Sequence, residues 1–153
     1  MKRFLPERSF PSYAFTPGKN THPNKEGGHF YGEPELISSN LTKENPDYLF
    51  SIDLINNQYY WEAHVYLEAI WNAHNRKGPE ADFCKGLIKM SAAALKYRLG
   101  SQEAFLGHLE RAIELFLPLA SQELDLRISP RELIEICNKW KEEDFVGLEL
   151  YDS

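Results

Sequence analysis

Long apolar runs, paired cysteines, glycine-rich phosphate loops and a surplus of positive charge are all missing from this sequence. No segment approaches the roughly 20 apolar residues that a membrane-spanning helix needs. The opening Met1-Lys2-Arg3-Phe4-Leu5-Pro6-Glu7-Arg8 is basic but runs into Pro and Glu with no apolar stretch behind it, so the expected location is cytoplasmic, away from membranes. The 2 cysteines, Cys84 and Cys137, stand far apart and outside any CxxC pattern, which argues against a disulfide framework or zinc knuckle and for reduced thiols in a core. Lys and Arg total 17 against 23 Asp and Glu, and the net charge of -6 has the wrong sign for a general nucleic-acid binder. No serine sits in a nucleophile-elbow pattern, and no glycine-rich loop follows a strand.

What is there is enough apolar material for one core: 153 residues at 42% hydrophobic content. Pro6, Pro11, Pro17, Pro23, Pro34 and Pro46 crowd the first third, with rings at Phe4, Phe10, Tyr13, Phe15, Phe30 and Tyr31. Pro and Gly forbid long regular elements there, and so many rings do not belong to a disordered tail. The composition predicts an extended, ordered arm over residues 1–44 docked on a body at 45–143, followed by an acidic tail at 144–153 to which no structure is assigned.

The body reads as all-α, an antiparallel helical bundle with a three-helix core and flanking helices. Asn45, Pro46 and Asp47 supply an N-cap, a first helical residue and a charge matched to the helix dipole for a helix ending near Asn56. A central helix follows from about Gln58 to Asn75, and a third runs from Pro79 to Leu99 with Gly100 as its C-cap. Ser101 is placed to cap a fourth helix running to Leu117, and Ser129-Pro130-Arg131-Glu132 opens a last helix to about Glu143. Lys85, Lys89 and Lys96 line one side of the third helix, a spacing usual for a solvated face.

The chemistry concentrates in Tyr59-Tyr60-Trp61-Glu62-Ala63-His64-Val65-Tyr66-Leu67-Glu68-Ala69-Ile70-Trp71. At about 100° per residue, Trp61, His64, Glu68 and Trp71 share one stripe, while Glu62 points about 160° away from His64 toward the arm, Arg98 or Arg111. Two ionisable groups between indoles predict a buried His64–Glu68 pair satisfied by itself, by an arm histidine or by a ligand. Glu68→Ala would then cost far more stability than Glu114→Ala. His22 and His29 sit in the arm between backbone-restricting neighbours, where hydrogen bonding to loop backbone is the ordinary role and delivery to the His64/Glu68 stripe the sharper one. His108 lies at the edge of the apolar stripe of the fourth helix.

Asp53-Leu54-Ile55-Asn56-Asn57-Gln58-Tyr59-Tyr60-Trp61-Glu62-Ala63-His64, with Glu68 and Trp71, resembles the signature of the bacterial family called domain of unknown function 309. Gly86-Leu87-Ile88-Lys89, Gly100 and His108 through Ala112 resemble its second block, and Pro17-Gly18, His22-Pro23 and Gly28-His29-Phe30-Tyr31-Gly32 resemble the arm of some members, so the likeness spans about 15–117. The sequence departs from that pattern at Val65, where Glu is usual, at Gln58, where Gly is common, and at Leu67, where an aromatic is common. The Val65 departure removes an acid beside His64 and weakens a multi-carboxylate metal site. The resemblance implies an all-α fold with a three-helix core and implies no reaction.

Two functions fit these residues. The first is a binding or scaffold module for a small molecule or a protein, with Trp61, Glu62, His64, Glu68, Trp71 and His108 as candidate ligand residues and a homodimer as an open option. The second is a hydrolase-like enzyme in which a divalent metal is held by His64 and Glu68 at i, i+4 with His22 or His29. The first is favoured, because strong zinc motifs place two histidines at that spacing and only one is present.

Overall fold

The computed structural model describes residues 3–142, and the acidic tail lies outside them. Five helices follow one another: α1 (Pro46–Asn56), α2 (Tyr60–Ala73), α3 (Pro79–Arg98), α4 (Gln102–Phe116) and α5 (Pro130–Glu142), with a 3-10 turn at Leu117–Leu119. No strand occurs among the described residues, and each helix packs on its successor in the chain. The fold is all-α.

Local chemistry sets the helix ends. Asn45 accepts the amides of Asp47 and Tyr48 through its side chain, with Pro46 behind it, and Ser129 Oγ accepts the Glu132 amide at 3.1 Å. Ser101 stands at the N-cap of α4, but its hydroxyl makes no capping bond, contrary to expectation. α1, α2 and α3 end alike, each with a left-handed residue just past the cap: Gln58 at φ 69, Asn75 at φ 56 and Gly100 at φ 82. After α3, the Ser101 amide reaches Lys96 O and the Gly100 amide reaches Tyr97 O, both at 2.9 Å. This is the paired closure that satisfies the last carbonyls of a helix. These turns shorten α2 to Tyr60–Ala73 from the predicted Gln58–Asn75.

The core is continuous through all five helices, with Phe50, Leu54, Leu67, Leu87, Phe105 and Leu133 all at or near zero exposure. α3 and α4 pack closely because Gly86 leaves room for the Phe116 ring. Cys84 and Cys137 are buried and free, and burial pushes both thiols up to about 12, far from a reactive thiolate.

Residues 3–45 form turns and extended segments with no helix or strand, and carboxylates on the helices hold them. Asp53, 1% exposed, accepts the amides of Phe4 and Leu5 and the Arg3 guanidinium, while Asp47 accepts Arg8 at 3.0 Å and Ser38 at 2.6 Å. Phe10 stacks between Phe50 and Tyr59, and Tyr59 donates to Pro11 O at 3.0 Å. Further along, the Leu41 amide donates to His74 Nε2 at 2.9 Å.

Candidate functional site

α2 contains no Gly or Pro and carries large side chains around its whole circumference, so helical periodicity alone does not say which face is inside. The structure buries Ala63, Leu67 and Ile70 completely, which turns Trp61, His64, Glu68 and Trp71 to a half-open face. His64 and Glu68 are therefore not the predicted buried pair. Their side chains are 30% and 47% exposed, and Nε2 and Oε2 stand 3.9 Å apart, beyond hydrogen-bond range. His64 Nδ1 instead meets the backbone carbonyl of Trp61 one turn back.

The buried carboxylate of α2 is Glu62, at zero exposure. Of its three expected directions it takes the arm: Oε2 accepts the Phe15 amide at 2.8 Å and lies 2.9 Å from His29 Nε2. Arg98 reaches Thr16 and the Gln58 carbonyl, and Arg111 lies beside Glu114. His29 thus pins the arm as expected of one arm histidine, but to Glu62 rather than to the His64/Glu68 stripe. His22 takes the backbone role, accepting the Asn24 amide at 3.1 Å, and sets its ring edge-on to Trp61 at 5.2 Å.

The arm leaves a cleft of about 280 Å³ against α2. One wall is Trp61, His64, Val65, Glu68 and Asn72; the other is Asn24, Phe30, Glu33, Glu35 and Leu36. Among the sequence-predicted ligand residues, Trp61, His64 and Glu68 meet there, and Glu62, Trp71 and His108 do not line it. Trp71 carries Arg76 at 4.7 Å and Lys85 at 5.9 Å over its ring. His108 lies on the α3–α4 face, where partial burial, then Lys89, Lys96 and Arg111, hold its imidazole below its ordinary range. Asn72 extends the Trp61 stripe by one turn beyond Glu68 and was available to sequence reasoning; Glu33 and Glu35 were not, because nothing local says where an extended arm lies.

The four candidate metal ligands do not converge. His64 faces Glu68, His22 faces Trp61, and His29 faces Glu62; among the described residues no group of three or more His, Cys, Asp or Glu is placed to hold a metal ion. Tyr66, one turn beyond Glu62, is pushed up by burial; Arg8 opposes the shift, while Asp47 and Glu62 add to it.

The family model described as domain of unknown function DUF309 matches residues 48–107. That match covers less than half of the chain. It takes in nearly all of α1, the whole of α2 and α3, and α4 as far as Gly107, a narrower span than the 15–117 read from the sequence. The α2 wall of the cleft lies within that match, whereas the arm wall and His108 fall outside it. No curated protein and no solved structure matches the chain. No helix among the described residues is long and apolar enough to cross a membrane.

Proposed function

We propose that the DUF309 domain and its arm form a binding module whose ligand enters the cleft and carries a protonated amine or guanidinium. The composition of the cleft carries this reading: the rings of Trp61 and Phe30 stand with three carboxylates, Glu33, Glu35 and Glu68, and no Lys or Arg lines the space. Aromatic faces attract cations through their quadrupole, and carboxylates add direct charge complementarity. A volume of about 280 Å³ suits one small amine or a single basic side chain better than a large cofactor. In this scheme Trp61 offers its face, Glu68 takes the charge, and His64, held by the Trp61 carbonyl, borders the site.

A free amine and the basic segment of a protein partner present the same group, and titration of the Trp61 indole N–H signal separates them. Spermidine, arginine amide, a Lys/Arg-rich peptide and succinate would be compared, with Trp61→Phe assigning the signal. Saturable shifts from the cations alone, weakened about tenfold by Glu68→Gln, support the reading. Tighter binding of the peptide than of the free amines points to a protein partner, and the reverse to a small molecule. Shifts from succinate, or from none of the four, overturn it. The metal-dependent alternative would require His22 or His29 to abandon its partner and turn toward Glu68, so binding is the reading the geometry supports better.

A further inference from the structure

Of the three helix carboxylates that hold the arm, two are fully engaged and one is not. Asp53 occupies both oxygens with Phe4, Leu5 and Arg3, and Asp47 occupies both with Arg8 and Ser38. Glu62 places the Phe15 amide and His29 on the same oxygen, and its Oε1 is buried with no hydrogen-bond partner among the described residues. His29 Nδ1 is buried and unpartnered as well. The segment closed by Glu62 is therefore held through one carboxylate oxygen, where the segments closed by Asp53 and Asp47 are held through two.

The segment closed by Glu62 is also tied together internally. Tyr13 donates to Thr21 O at 2.6 Å, the Thr16 amide to Asn20 Oδ1 at 3.0 Å, the Gly28 amide to Lys25 O at 2.8 Å and the Phe30 amide to Pro23 O at 2.8 Å. Among the described residues, its polar ties to the helices are the two on Glu62 and a 3.3 Å bond from Arg98 to Thr16, with Phe15, His22 and Phe30 leaning on the Trp61 ring. On either side the chain is fixed, by Tyr59 to Pro11 and by Ser38 to Asp47. Gly32, at φ 75 with open space about its Cα, follows the segment as a ready pivot.

We infer that residues 13–30 are a strap that swings off α2 as one unit when the Glu62 latch releases, and that a ligand in the cleft holds it shut. The strap supplies Asn24 and Phe30 to the cleft wall, so opening dismantles the site and occupancy must favour closure by the same free energy. The coupling to a ligand rests on the cleft being the binding site; the strap itself does not.

Amide hydrogen exchange on the full chain tests both parts. The Phe15 amide reports the latch, and the Phe4 and Leu5 amides, held by Asp53, report the fixed end. In the unliganded protein Phe15 should exchange at least about tenfold faster than Leu5. His29→Ala should accelerate Phe15 further and leave Leu5 and the α3 amides unchanged. Equal exchange at Phe15 and Leu5 in the wild-type protein overturns the strap, and that comparison stands even if the variant fails to fold. Spermidine that shifts Trp61 and slows Phe15 but not Leu5 supports the coupling; spermidine that shifts Trp61 and leaves Phe15 unchanged overturns it. Should spermidine leave Trp61 unmoved, the cleft reading fails while the Phe15–Leu5 comparison still decides the strap.

Discussion

Asp53 Oδ1 accepts the amide of Phe4 at 2.7 Å across 49 positions of sequence, and this bond ties the start of the arm to the buried side of α1. Oδ2 adds the Leu5 amide at 2.9 Å and Arg3 at 3.2 Å, so a carboxylate only 1% exposed is satisfied entirely by arm groups. Removing it strands three donors. Asp53→Ala should cost about 3 kcal/mol, whereas Glu68→Ala, on a half-exposed side chain 3.9 Å from its neighbour, should cost under about 1 kcal/mol. Denaturant melts of the two variants decide it. Equal losses would show that the arm contributes nothing to the stability of the body.

Gly86 and Gly107 lie on packed helices in opposite circumstances. A Cβ on Gly86 would stand 2.4 Å from Phe116 Cε1, inside a ring with no exposure, while a Cβ on Gly107 meets nothing within 4 Å. Gly86→Ala should therefore push α3 from α4 and cost about 1–3 kcal/mol. Gly107→Ala should stabilise α4 by about 0.5–1 kcal/mol through helix propensity alone. Thermal melts moving in opposite directions confirm the contrast; a loss at both positions would contradict the open surface at Gly107.

The helix ends were legible in the sequence because their chemistry is local: Asn45 and Pro46 open α1, Gly100 closes α3, and Ser129 and Pro130 open α5. The inner face of α2 was not legible, for a physical reason. A helix covered by other helices on one side and by an arm on the other needs large residues all round, and then no polar face marks the outside. Trp61 is large because Phe15, His22 and Phe30 lean on it, not because it faces the core. Glu62 sits about 110° from the middle of the Ala63/Leu67/Ile70 arc, on a flank that reads as solvent until an arm crosses it. Aromatic content announced that the arm docks, but its contacts with α2 span more than thirty positions of sequence, as between His29 and Glu62, and no periodicity encodes a pairing at that distance.

Gln58 occupies a position that glycine suits better. Its φ of 69 is left-handed, and its amide closes on Ile55 O at 3.1 Å while the Tyr59 amide closes on Leu54 O at 2.8 Å, the same closure that Gly100 makes after α3. A side chain in that region costs about 1 kcal/mol, partly offset by the greater freedom of glycine when unfolded. Gln58→Gly should gain about 0.5 kcal/mol and raise Tm by about 1–2 °C. The Arg98 bond uses the Gln58 carbonyl, which the substitution retains. A lower Tm would mean that the Gln58 side chain contributes more than its backbone strain costs.

His108 should make the protein less stable as pH falls below neutrality. Partial burial, then Lys89, Lys96 and Arg111, hold its folded pKa below the ordinary 6.5. Above 6.5 the imidazole is neutral in both folded and unfolded chains, and its contribution is fully present. Once the pH drops through 6.5 the unfolded chain takes up the proton first, so stability declines until His108 itself protonates at its lower folded value. His108→Gln removes this uptake, and the stability of the variant relative to wild type should rise as the pH falls from about 7.5 to about 5, the span in which histidine titrates. Lys89→Gln should move the His108 imidazole resonance to titrate at higher pH, because one opposing charge is gone. Melts of the wild type and His108→Gln at both ends of that range, with an NMR titration of His108 beside them, check the two effects separately. Parallel pH dependence in the two proteins would show that neither burial nor the neighbouring cations shift His108, and an unmoved His108 resonance in Lys89→Gln would show that this lysine does not reach it.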